Sequence, residues 1–120
     1  MAITYSVRPV GPTYALSVAA TQTAAIAVAT PVGDMGNYAE FLNTGATTVC
    51  VVLAPFAATP ATPTLVFPVA GTPTVPNSFM LPPLMTMPRP VPVPSNGFCV
   101  SAIGSGAGPA LVYITPVSQL

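Results

Sequence analysis

The sequence predicts an all-β fold: an antiparallel β-sandwich, with the jelly roll as one form it can take. Three observations lead there. Short apolar runs rich in Val, Ile, Thr, Phe and Tyr recur with a period of two, and none has the length or spacing of an amphipathic helix. Clusters of Gly, Pro, Asn and Thr separate these runs, giving about eight strands with turn signals between them. Two runs, at 49–53 and 111–114, are apolar on both faces, and such a strand has to be covered on both sides.

Taken in order, residues 1–12 read as an extended arm that ends at Val10-Gly11-Pro12. Residues 14–18 alternate, with Tyr14, Leu16 and Val18 on one face and Ala15 and Ser17 on the other; Ile26 and Val28 continue in phase. The alanines between 15 and 29 would also permit a helix, Ala being the best helix former. Strict alternation and the Thr and Val content favour two strands about a turn at 20–22. Residues 31–36 are a loop, 38–43 alternate again, and Asn43-Thr44-Gly45 is a turn signal. A doubly apolar strand follows at 47–53.

Residues 54–94 are proline-rich. Residues 54–63 read as a loop of small residues; 64–69 could form a strand, limited by Pro68 to an edge; 77–81 is a short strand stopped by Pro82 and Pro83. Then Pro88, Pro90, Pro92 and Pro94 alternate with Arg89, Val91 and Val93. Residues i and i+2 of a strand direct their N–H groups to the same edge, so these prolines strip one edge of donors. The segment is a one-sided edge strand, a polyproline-like arm or a stiff surface loop, and the first two resist strand addition. We expect an interaction arm outside the core, with Pro88, Arg89, Pro90, Val91, Pro92, Val93 and Pro94 as interface residues.

The chain closes on two apolar runs at 98–103 and 110–115, joined by the glycine-rich residues 104–108, and the expectation is an antiparallel hairpin. Phe98, Val100 and Ala102 share one face and Cys99, Ser101 and Ile103 the other. The expected core is Leu16, Val18, Ile26, Val28, Phe41, Val49, Val51, Phe67, Phe98, Val100, Leu111 and Tyr113.

Composition excludes more than the motifs include. Of 120 residues two are Lys or Arg, two are Asp or Glu and none is His; 3% are charged, against roughly a quarter in an ordinary soluble domain. Arg8, Asp34, Glu40 and Arg89 are scattered, so nothing draws nucleic acid electrostatically and nothing repels a second copy. A surface this neutral is a solubility liability for a free monomer. It is covered in an assembly or it sits in lipid, and a mean hydropathy of +0.73 is compatible with either. The lipid reading fails because no apolar stretch reaches the ~18–20 residues of a spanning helix without a polar or proline break. The start of the chain is mixed and proline-broken, unlike a secretory signal, so a single mature domain over 1–120, made in the cytosol, is expected.

Phe41-Leu42-Asn43-Thr44-Gly45, then Val49-Cys50-Val51-Val52, then residues 98–103, then Leu111 to Pro116 resemble in pattern the small virion proteins of tailed bacteriophages. These are decoration or cement proteins, many of them β-sandwiches or jelly rolls, that coat the assembled head. The resemblance covers residues 38–116, and it has no catalytic residues to carry over. It implies a structural protein on the outer surface of the virion capsid, made in the host cytoplasm and stabilising contacts between coat subunits. Its partners would be the major capsid protein and further copies of itself, with a trimer expected.

Chemistry finds little purchase. Without His there is no imidazole base. Asp34 and Glu40 read as solvated rather than as a carboxylate pair. Cys50 and Cys99 lie inside apolar strands, as structural thiols do, and two cysteines without His are too few for zinc. A Cys50–Cys99 disulfide is conceivable if their strands are neighbours, though cytosolic synthesis favours thiols. The glycine turn lacks the lysine and helix of a phosphate loop, and the five Met fill packing gaps. No enzyme, cofactor, metal, nucleic acid, membrane or small-molecule substrate is expected. Other virion parts (tail, connector or fibre base) fit the same composition; a secreted β-sandwich binding or pilin-like module would favour a signal peptide and the disulfide.

Overall fold

The computed structural model describes residues 7–29, 38–62, 64–71, 73, 76–94, 97–106 and 108–119. Among them are nine strands and no helix. One sheet contains β1 (Val7–Pro9), β2 (Tyr14–Val18), β4 (Tyr38–Asn43), β7 (Arg89–Pro92) and β9 (Ala110–Gln119). The other contains β3 (Ile26–Val28), β5 (Val49–Pro55), β6 (Ser78–Leu81) and β8 (Phe98–Gly104). All pairings are antiparallel, and the two sheets pack face to face as a sandwich.

The strand orders are β2-β9-β4-β7 and β3-β8-β5-β6. β9 is the long strand of its sheet: β4 takes one edge, while β2 and β1 share the other over residues 110–114 and 117–119. The expected N-terminal arm is thus tied down from Val7 onward, because β9 outruns β2 and leaves edge to pair. Every connection except β1–β2 and β5–β6 crosses from one sheet to the other.

The expected hairpin at 97–115 does not form. β8 lies between β3 and β5, and β9 between β2 and β4, so neither has an edge left for the other. The turn is bonded outward instead: Gly104 N–H donates to Ala19 O at 2.7 Å and Ser105 N–H to Thr48 O at 2.9 Å. A short glycine turn reverses the chain equally well within a sheet or between sheets, so its composition does not distinguish the two.

Between the sheets lie Leu16, Val18, Val28, Phe41, Val49, Val51, Phe98 and Val100, as expected, with Ile26 packed against them. Phe41 and Phe98 are fully buried, each stabilising the fold by roughly 1.5–3 kcal/mol. The expected face of β9 is reversed. Ala110, Val112 and Ile114 point inward, while Leu111 is 44% exposed and Tyr113 faces out. With both faces apolar, alternation alone had no means of choosing.

The second face of β5 is covered by the chain itself. Leu65 and Phe67 pack with Cys50, Val52, Met80 and Ile103 on the outer side of that sheet. Residues 64–68 form no strand; Leu65 N–H donates to Gln22 Oε1 at 2.9 Å, so this stretch is pinned as a covering loop.

Candidate interaction surface

The alternating prolines fall on the last strand of their sheet. Among the described residues β7 pairs with β4 alone, with Val91 opposite Ala39 and Arg89 opposite Phe41. Thr44 N–H donates to Leu111 O at 3.0 Å, which fixes the alternation: even-numbered β4 residues bond β9, and odd-numbered ones face β7. Arg89 and Val91 therefore donate to β4, and Pro90 and Pro92 turn their donor-less nitrogens to the open edge. Of the sequence readings of this segment, the one-sided edge strand is the one formed.

The segment is not an arm outside the core. Val91 and Val93 pack against the core cluster, and the exposed Arg89 side chain folds back over its own molecule. Nη1 donates to Met80 O at 2.9 Å, and Cζ stands 5.3 Å from the centre of the Phe79 ring, a cation–π contact. Phe79 in turn meets Phe41 edge-to-face at 5.1 Å. Arg89 thus fastens the β7 edge of one sheet to the β6 edge of the other. A weakly hydrated guanidinium can lie against an aromatic ring while staying in contact with solvent, as the exposed Arg89 does. Pro88, Pro90, Pro92 and Pro94 remain exposed.

On the same side, an open cavity of about 400 Å³ is lined by Leu53, Pro55, Phe79, Val91, Pro92 and Pro94, with Asn77 and Ser78 as its polar members.

At the other end of β6 the connection to β7 is held by Asn43, which is fully buried. Its Nδ2 donates to Thr47 O at 2.9 Å and Pro82 O at 3.1 Å, and its Oδ1 accepts from Gly45 N–H at 3.0 Å. Met85 N–H donates to Asn43 O, and Leu84 N–H to Gly45 O, both at 2.9 Å. A Cβ at Gly45 would collide with Ala110, so only glycine closes this turn. The loop presents apolar side chains outward: Leu84 is 69% and Met87 76% exposed. Leu84 also holds a φ of 54°, a left-handed conformation that costs a bulky residue about 1–3 kcal/mol.

The sequence marked Asn43 as a turn former and Pro82-Pro83 as a strand stop, and it carried no sign that one side chain would join them. The strained Leu84 had no signal either, since left-handed positions are ordinarily marked by Gly or Asn.

The remaining candidates stay apart. Cys50 and Cys99 lie on paired strands, but Cys50 is opposite Ile103 and Cys99 opposite Ala54. Four residues of offset is ~13 Å, beyond the ~7 Å a disulfide spans, and both are buried thiols. Asp34 lies outside the described residues, and with it the Asp34–Glu40 pairing. Among the described residues no three His, Cys, Asp or Glu side chains gather, and no helix is long and apolar enough to cross a membrane.

No protein-family model, curated protein or solved structure matches this chain.

Proposed function

We propose that the chain is a structural virion protein of the decoration or cement kind, seated on the outer surface of an assembled phage head, where it holds neighbouring coat subunits together. The observation that carries this reading is a nearly chargeless surface that also bears exposed apolar side chains on a firmly held loop. A free monomer gains nothing from presenting Leu84 at a backbone cost; a protein that docks does.

The strand orders support the jelly-roll reading. Two four-stranded sheets, β2-β9-β4-β7 and β3-β8-β5-β6, with the chain crossing between them at nearly every connection, match two interlocked Greek keys. Viral capsid and lectin domains share that arrangement, which supports a virion role. The secreted-module reading loses its disulfide to the register of β5 and β8.

The β6–β7 side is the proposed coat contact: the exposed Pro90 and Pro92, the apolar cavity beside them, and Leu84 and Met87 at its far end. Residues 88–94 belong to it as a rigid proline edge that accepts no added strand, so apolar packing holds the partner. The test is cosedimentation of the purified chain with heads stripped of it, with wild type beside Leu84→Glu and Met87→Glu. Retained folding with at least tenfold weaker binding is expected. Unchanged binding by both variants would place the contact elsewhere.

A further inference from the structure

A sheet edge invites another strand unless something blocks it, and most edges here are blocked by identifiable devices. On β7 the open-edge positions are Pro90 and Pro92. On β6 the open-edge carbonyl of Met80 is taken by Arg89. β3 is only three residues long, and just before it the outward N–H of Ala25 donates to Thr62 Oγ1 at 3.0 Å. On β1, Pro9 takes one of the two outward positions, since Val10 N–H bonds inward to Pro116 O at 3.0 Å.

β2 differs. Pro116 O faces this edge of β9, so Ala110, Val112 and Ile114 also face it and bond their partners Val18, Leu16 and Tyr14. The main-chain groups of Ala15 and Ser17 then point away from the sheet, and Thr13 continues their row. All three residues are exposed, and among the described residues nothing covers this edge. The strand contains no proline, glycine or charge.

We propose that this edge pairs antiparallel with β2 of a second copy, about a two-fold axis through Ala15. The register is self-complementary. Ala15 stands opposite Ala15 of the second copy and Thr13 opposite Ser17, so every outward donor meets an acceptor. The side chains at the junction are small, and the strands can reach the ~4.8 Å spacing of a sheet without clash. Leu42 is opposite Tyr113 and Tyr113 opposite Ala15, so the outer apolar row of one sheet continues into the row of the other. No charge lies on β2, so a neutral second copy meets no repulsion, and a charged partner would gain nothing there.

One strand pair buries less than the roughly 800 Å² per partner of a standard interface, so the contact is weak in dilute solution and strengthens when copies are crowded together on a particle. It is isologous and closes at two copies, in place of the expected trimer. It deepens the self-association part of the proposed function and is independent of the coat contact.

Sedimentation of the whole protein from about 10 μM to about 1 mM tests it, on a scale set by the weak interface. Wild type is expected to shift from 12.1 kDa toward twice that mass. Ala15→Pro removes an N–H that bonds nothing within the sheet, and should stay monomeric throughout with the wild-type circular dichroism spectrum. Ala15→Lys and Ala15→Glu place like charges across the axis, so each alone should be monomeric and an equimolar mixture should dimerise. That mixture decides the matter if the proline variant does not fold. Undiminished association of Ala15→Pro, a wild type monomeric at every concentration, or a mixture that fails to pair while wild type does, would each overturn the proposal. Cosedimentation with stripped heads separates it from the decoration role: particle binding by a monomeric wild type overturns only the strand pairing. Loss of particle binding by Ala15→Pro in a monomeric wild type would instead assign the edge to a strand of the coat.

Discussion

Asn43 shows how far one side chain can be read from its neighbours. As a turn former before Thr44-Gly45 it was legible, and its bond from Gly45 N–H is the local one that such residues make. Its longer bond to Pro82 O joins segments 39 residues apart, and no local pattern encodes that. Asn43→Ala leaves several buried groups unpaired and should cost about 2–3 kcal/mol by chemical denaturation. Thr47 offers the opposite test, because its Oγ1 is buried without a partner. Thr47→Val keeps the shape and removes the hydroxyl, so stability should be unchanged or rise by up to about 1 kcal/mol. Leu84→Gly relieves the left-handed strain and should hold or raise the melting temperature while weakening particle binding. If binding survives that change, the exposed side chain has no docking role.

The elements themselves were largely legible, and their partners less so. Period-two alternation marked β2 and β4 because one side of each strand is more buried than the other. It failed on β9, where Leu111 and Tyr113 are as apolar as Val112 and Ile114. It also failed to pair β8 and β9, since pairing depends on which edges remain open after the other strands are placed. The proline segment was half legible. Proline chemistry gave the blocked edge, whereas Arg89 finding Phe79 and Met80 depends on the second sheet. Because Val91 and Val93 pack on the core, replacing residues 88–94 with a Gly/Ser linker should destabilise the sandwich as well as weaken binding. Arg89→Ala should cost about 0.5–1 kcal/mol, and Arg89→Lys should recover only part of it, since an ammonium lacks the planar fork. Equal stability of Arg89→Ala and wild type would mean that the clasp does not hold the sheets.

At the scale of the molecule, the fold class followed from strands that needed covering on both faces. The chain covers one of those faces itself, with Leu65 and Phe67 over β5, and leaves the outer face of β9 with Leu111 exposed. Two cations and two anions in 120 residues give screening little to act on. Release from stripped heads should therefore change less than about threefold between 50 mM and 500 mM salt; a steep dependence would point to a charged interface. The virion role is tested most directly by quantitative mass spectrometry of particles banded on a density gradient from the cells that make this chain. The account predicts its peptides in the head-containing band at a constant ratio to the coat protein, in full and empty heads alike. Peptides confined to the top of the gradient, or to detached tails, would contradict it.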